Sequence, residues 1–348
     1  MTQNAPASGP PQVDLYTRNG FAGPATGIVR SQYTPGYTRV EGDYAPRRLD
    51  IWKFQSSDAA DPRTMPTTIL DGGDVRLEVW RPGSETAFAL KDVRHDQFLF
   101  VLDGTARLET DFGVLDLAPL DMVKLPRSVG YRLKRVRDLH LVIVVSAETQ
   151  AIAPENGAVL NTALDVDIPR SYDGPPEPGE YELVIRHGSD TTSYFFDYDP
   201  LHMIATSGAP VVERFNLADV HPLAVAGLSA PPARLATDSS TRSMLYYLGA
   251  RDGGQPPVHH NADYEEIFLY CAGPGVFGEM RHPGTLVAVP KGVIHQGPEE
   301  NVPEGFIGWL LETRADMTLT PAGREIAAIA ETSRFGTHPS VLADSVAG

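Results

Sequence analysis

One cysteine, Cys271, stands in a chain of 348 residues, which excludes an internal disulfide and leaves a thiolate-rich metal site without enough ligands. Long apolar runs are missing too: none approaches the ~18 residues that a membrane-spanning helix needs. The opening stretch, MTQNAPASGPPQ, has no early positive charge and no apolar core, so it reads as a disordered polar tail and not as a secretion signal. Basic charge is scarce: 29 Lys and Arg face 45 Asp and Glu, a formal net charge of -16. Recognition of nucleic acid or an anionic membrane rests on basic surface, so neither partner is expected. An anionic small substrate would have to be drawn in by a local arginine or histidine. A cytoplasmic location is the default expectation.

What the chain does have is turn chemistry and short strands. Gly 32 and Pro 30 are high counts, and the apolar segments are short, as in HLVIVVS. Strand signals are dense in two regions. The first, about Thr67 to Val145, alternates apolar residues with turns at LDG, DFG and APLD; the second, about Arg242 to Thr313, repeats the rhythm in SMLYYLG, EEIFLYCAG, GTLVAVPKG and GFIGWLLE. This pattern predicts an all-β chain of two small barrels. The expected division is a tail over 1–20, a first barrel over 21–150, a Pro- and Gly-rich connector over 151–180 and a second barrel over 181–320. Residues 321–348 would then form a short helix, closed by Gly336, and a tail.

The stretch PVHHNADYEEIFLYCAG, Pro257 to Gly273, carries the chemistry. Strand alternation puts Glu266, Phe268 and Tyr270 on one face. Downstream, Pro290 and Gly292 form a tight turn that delivers His295. If the two hairpins pair inside one barrel, His259, Glu266 and His295 converge. Two neutral imidazoles and one carboxylate leave open positions on a divalent ion, an arrangement suited to non-haem Fe(II) chemistry with O2. Any one of these residues alone is more often a solvated side chain. The joint spacing favours one metal ion, Fe(II) foremost, although the same ligands serve other divalent ions.

This spacing resembles the two signature motifs of the cupin superfamily. Gly253, His259, Glu266 and Gly273 match the first motif, with Asn261 where its second histidine usually stands. Gly284, Pro290, Gly292 and His295 match the second, with Glu299 in place of its closing asparagine. The His-x-Asn variant resembles the homogentisate 1,2-dioxygenase family, and so do DQFLFVLDGTARLETDFGVLDLAPLDMVKLPRSVGYRL and DPLHMIATSGAPVVERFNLADVHPL. The resemblance implies a bicupin, two jelly-roll barrels with one iron in the second, that opens a phenolic or hydroquinone-type ring with O2. A homo-oligomer is also implied. In that family the metal carboxylate follows the first histidine by six residues, which makes Glu265 the alternative to Glu266; spacing to Gly273 and a shared face with Phe268 and Tyr270 select Glu266.

The resemblance also has gaps. In the first barrel Gln97 stands where a ligand glutamate would lie, and Tyr131 where a histidine would close the site, so His95 is left alone and no metal is expected there. The active-site histidine of the homogentisate family has no counterpart: Ser229 stands near its position, and His221 is close but not aligned. Serine is a far weaker base than imidazole at neutral pH. Candidates to replace it are His260, His282 and Tyr264. Phe268 and Tyr270 would wall the substrate, with Asn261 and Arg281 as polar contacts. Rival readings are a metal-dependent cupin oxidase or isomerase of a biosynthetic intermediate, and a non-catalytic bicupin that binds a small ligand.

Overall fold

The computed structural model describes residues 13–30, 37, 39–55, 60–155, 158–222, 232–250, 257–297 and 302–332. Two large curled sheets dominate, antiparallel except where Ala89–Asp92 pairs in parallel with Tyr181–His187. One holds eleven strands centred on the long pair Asp96–Thr110 and Gly130–Ser146. The other holds eight, in the order Gln150–Glu155, Ala233–Asp238, Ser243–Leu248, Ile307–Thr313, Glu265–Ala272, Thr285–Val289, Arg47–Asp50, Ala327–Ile329. This is the all-β, two-barrel architecture that the strand rhythm predicted. No helix among the described residues is long and apolar enough to cross a membrane.

The strands read as near-continuous apolar runs because both of their faces are buried. In Gly130–Ser146, Leu141, Ile143 and Val145 fill the first barrel, whereas Val142 and Val144 face a core shared by the two barrels. The second barrel repeats this arrangement. Ile267, Leu269, Trp309 and Leu311 point into the shared core, and Tyr270, Val287 and Val289 point inward. Trp309 is wholly buried and meets Phe100 of the first barrel edge-on, with centroids 6.3 Å apart. Cutting such a ring back to alanine costs about 3–5 kcal/mol. The barrels are therefore joined by a continuous apolar core and not by a linker.

Five segments lie elsewhere than expected. Val13–Thr17, read as part of a polar tail, is a strand paired in parallel with His259–Asn261 and antiparallel with Ala25–Val29. Arg47–Asp50, expected in the first barrel, and Gln150–Glu155, at the expected start of the connector, both belong to the second sheet. The hairpin Tyr181–His187 and Asp190–Phe196, assigned to the second barrel, extends the first sheet through Ala89–Asp92. Thr318–Leu319 also returns to the first sheet, beside Thr67–Asp71. Periodicity identifies a strand, but its partner is decided by non-local burial. The C-terminal helix is short, Pro321–Glu325, capped by the Thr320 hydroxyl on the Gly323 N–H. The chain then forms the strand Ala327–Ile329, whereas a longer helix was expected there; Gly336 lies outside the described residues.

One motif glycine shows how the barrels lock together. Gly284 has φ 88°, and a Cβ there would sit 2.3 Å from the indole nitrogen of Trp52. Trp52 donates that N–H to the Pro283 carbonyl, and its ring meets His140 of the first barrel edge-on at 5.1 Å. Only glycine admits both the backbone angle and the ring.

Candidate metal centre

His259 and His295 are brought together by their own backbones. Each donates its N–H to the other's carbonyl at 2.9 Å, an isolated antiparallel bridge. Directly opposed residues put their side chains on the same face, and the two rings lie 4.1 Å apart. The turn at Pro290 to Val293 sets this register, helped by Gly292 donating to the Asn261 carbonyl at 2.8 Å. Glu266 enters from the adjoining strand, paired with Val289 on one side and Glu312 on the other.

The imidazoles are oriented as metal ligands require. His259 Nδ1 donates to the Pro257 carbonyl at 2.9 Å, and His295 Nδ1 to the Val293 carbonyl at 3.0 Å. A carbonyl only accepts, so both protons sit on Nδ1 and both Nε2 lone pairs are free for a cation. Those lone pairs face Glu266: His295 Nε2 is 3.2 Å from Oε2, and His259 Nε2 is 3.6 Å from Oε1. The longer distance exceeds a hydrogen bond, and His259 Nε2 is buried with no partner among the described residues. An ion about 2.1 Å from each ligand wants ligand atoms about 3 Å apart. The donor set and its orphaned nitrogen therefore fit a divalent ion. These three residues are the one such group among the described residues, with ligand atoms all within 4.8 Å of one another.

The charges agree. Burial disfavours the Glu266 carboxylate, but His295 and then His259 outweigh it and hold this acid well below the usual carboxylate range. Burial likewise lowers His259, and Glu266 more than compensates, leaving its value raised. Glu265, one residue earlier, points away. It is buried with one oxygen unpartnered, and burial pushes it up to about 7 against the opposing charge of Lys291. Strand phase thus separates the two glutamates as alternation requires.

Glu312 was not among the sequence candidates, and it is the fourth acid-or-base group of the site. It is fully buried, accepts from the Tyr246 hydroxyl at 2.9 Å and from Asn261 Nδ2 at 3.1 Å, and sits across the strand pair from Glu266. Burial, then the nearby Glu266 charge, raises it. The signal in the sequence was alternation within GWLLET, where Glu312 shares the inward face with Leu310.

Asn261, expected to meet substrate, is already occupied. Its amide donates to Glu312 and, at 3.4 Å, to Glu266, while its oxygen accepts from the backbone of Asp263 and Tyr264. The three acid–base candidates are not brought to the cluster. His260 faces the other way, 3.2 Å from buried Asp14. His282 sits on an exposed turn near Asp50, bonded to the Pro283 carbonyl. Tyr264 donates its hydroxyl to the Thr241 carbonyl at 2.6 Å and stacks under Arg314. Arg281 makes no ion pair with a described residue and is half-buried next to His282 on that turn. Phe268 shares the Glu266 face and packs against both inner clusters; Tyr270 contributes its ring to one of them and ties its hydroxyl to Gly273. Gly253, Ser229 and Glu299 lie outside the described residues. His221 pairs with Val159 in a two-stranded ribbon separate from the sheets that carry His259 and Glu266.

The first barrel carries a different constellation at the same register. Gln97 faces Leu125 as Glu266 faces Val289, and Tyr131 follows Leu125 by the interval that separates His295 from Val289. The Tyr131 hydroxyl donates to Gln97 at 3.2 Å, echoing the His295–Glu266 contact. Around them, Arg186 bridges Glu78 and Asp92, and His95 donates to Asp92 while accepting from Arg76. His95 is thus fully engaged in an ion-pair network.

No family model matches the chain. Among solved structures it is similar to a cupin 2 conserved barrel domain protein from Leptotrichia buccalis, at 9% identity and TM-score 0.41 over 78% of this chain and 98% of that one. It is also similar to salicylate 1,2-dioxygenase from Pseudaminobacter salicylatoxidans, at 9% identity and TM-score 0.46 over 81% and 90%. A third likeness is to an oxalate decarboxylase from B. subtilis, at 10% identity and TM-score 0.41 over 82% and 81%. The centre described above stands on the chain's own side chains.

Proposed function

We propose that this chain is a non-haem Fe(II) dioxygenase that opens the ring of a small phenolic or hydroquinone-type aromatic with O2. One observation carries the reading: two imidazoles with Nδ1 protons committed to backbone carbonyls present their Nε2 atoms, one of them orphaned, to a single buried carboxylate. Two histidines and one carboxylate, with positions left over, form the donor set of non-haem iron oxygenases. Such an ion would supply the one-electron chemistry that lets O2 react with an electron-rich ring. His259, Glu266 and His295 would hold it; the carbonyls of Pro257 and Val293 fix the ring orientations. Asn261 holds Glu266 and Glu312 in place from one side. Phe268 and Tyr246 present aromatic surface beside the ligands and exclude water.

A second reading rests on Glu312. A buried carboxyl raised above its usual range, next to the ligand Glu266, can hold or release a proton near neutrality. That would suit a metal-dependent isomerase or oxidase, and it supplies the acid–base group that His260, His282 and Tyr264 do not. Metal analysis with oxygen uptake separates the readings. One iron per chain and hydroquinone- or catechol-dependent O2 consumption with a ring-opened product support ring cleavage; O2 consumption with the ring intact favours the oxidase. A bound metal with no O2 consumption favours the isomerase. A metal-free protein that still binds an aromatic would make it a ligand-binding bicupin.

A further inference from the structure

The N-terminal strand does more than cover an edge. Strand His259–Asn261 is only three residues long and carries the first ligand. One side of it is bonded to His295; the other is bonded to Val13–Thr17, with Leu15 N–H on the Val258 carbonyl and Ala262 N–H on the Thr17 carbonyl, both at 3.0 Å. Val13–Thr17 is itself the middle strand of a three-stranded sheet, so it is held from both sides. Without it the ligand strand would have a free edge.

The chain then turns back on itself towards the ion site. Asn19 and Gly20 are consecutive left-handed residues, φ 59° and 63°. Asn19 is fixed by Asp263, which accepts its N–H at 2.8 Å, and by Arg314, which donates to its side chain at 3.0 Å. The reversal lays Gly20 directly on the Glu312 carboxylate: an added Cβ would stand 2.2 Å from Oε2 and 2.5 Å from Oε1. That carboxylate cannot swing aside cheaply, because Tyr246 and Asn261 hold it and it is wholly buried. Phe21 then reaches inward, meeting Tyr246 edge-on at 5.5 Å and the His259 ring at 6.4 Å. It packs in the same inner cluster as Tyr264, Leu310 and Phe268.

We propose that the strap Val13–Phe21 is a working part of the metal centre: its strand positions His259, its glycine seats on Glu312, and Phe21 walls the ion site from outside the barrel. This rests on the reading that His259, Glu266 and His295 hold a divalent ion. The strap residues are positioning residues, since none offers a ligand atom to the cluster. Phe21 together with Tyr246 and Phe268 gives the site three rings, which suits a flat apolar guest better than a sugar or a polyanion.

The test uses the full chain loaded with Co(II), whose visible spectrum reports ligand geometry, followed by release to excess chelator. Wild type, Gly20→Ala, Phe21→Ala and Phe21→Leu are compared, with near-UV circular dichroism and thermal unfolding as checks on the fold. Loss of a group that orients a metal ligand costs about 10- to 100-fold in affinity. We expect Gly20→Ala and Phe21→Ala to release Co(II) at least tenfold faster with a shifted spectrum, and Phe21→Leu to restore most of the retention. Wild-type spectra and release rates in both Gly20→Ala and Phe21→Ala, with wild type binding one ion, would overturn the strap's role alone. A wild-type protein that takes up no ion would overturn the metal reading and the strap's role together.

Discussion

His140 offers a quantitative check on the shared core. Its imidazole is 1% exposed, neither ring nitrogen has a hydrogen-bond partner among the described residues, and the edge of Trp52 closes it from the second barrel. Burial, assisted by the charge of Arg81 and opposed by that of Asp103, lowers it from 6.5 to about 4. Above pH 6.5 the ring is neutral in both the folded and the unfolded chain and contributes no pH dependence. As pH falls, the unfolded chain takes a proton that the folded core refuses, so stability drops between 6.5 and 4 and then levels. At 1.4 kcal/mol for each pH unit the full loss is about 3 kcal/mol, of which about 2 kcal/mol is present at pH 5. His140→Leu removes both the titration and two unpartnered polar atoms, whose burial costs about 1–3 kcal/mol. The variant should therefore be at least as stable as wild type at pH 7.5, and should lose about 2 kcal/mol less on going to pH 5. Urea unfolding followed by tryptophan fluorescence, with both proteins stripped of metal, measures the difference. Parallel stability–pH curves would show that His140 is solvated or partnered in solution, and the argument from burial would fail.

Three further outcomes follow from the site. His295→Ala should weaken ion binding by more than about 100-fold while leaving the circular dichroism unchanged, since it removes one ligand of three; full metal content by mass spectrometry would refute the assignment. Gln97→Ala should cost about 1–3 kcal/mol by stranding the buried Tyr131 hydroxyl, yet leave metal content and O2 uptake as they were; a large loss of uptake in a folded protein would mean that the first barrel takes part. Glu265 is neutral in both states below pH 4.5; above it the unfolded carboxyl ionises while the folded one, at about 7, resists, so wild type loses stability as pH rises through that window. Glu265→Gln should abolish that loss, about 3 kcal/mol by pH 8, and a Gln variant with the wild-type slope in denaturant unfolding would place Glu265 in water.

Much of this centre could be read from the sequence because its defining property is local. Whether Glu265 or Glu266 points inward depends on phase along one strand, and Phe268 and Tyr270 carry that phase in their spacing. His259 and His295 were legible because turn residues at Pro290 and Gly292 fix where the next strand begins. Glu312 carries the same inward phase, but nothing in GWLLET tells an inward acid at the mouth from one on a solvated rim. That distinction is set by Tyr246 and Asn261, which lie 66 and 51 residues away in the chain. His260, His282 and Tyr264 were chosen by residue type, and type says nothing about direction: Asp14, Asp50 and Thr241 decide where they point. The strap was hidden for a related reason. Its sequence VDLYTRNGF is too polar and too short to declare a buried strand, and its stability comes from bonding to another short segment. A three-residue ligand strand with one edge open would be a weak place to hold an ion. Val13–Thr17 supplies the second edge, and just beyond it Gly20 lets the backbone rest on Glu312.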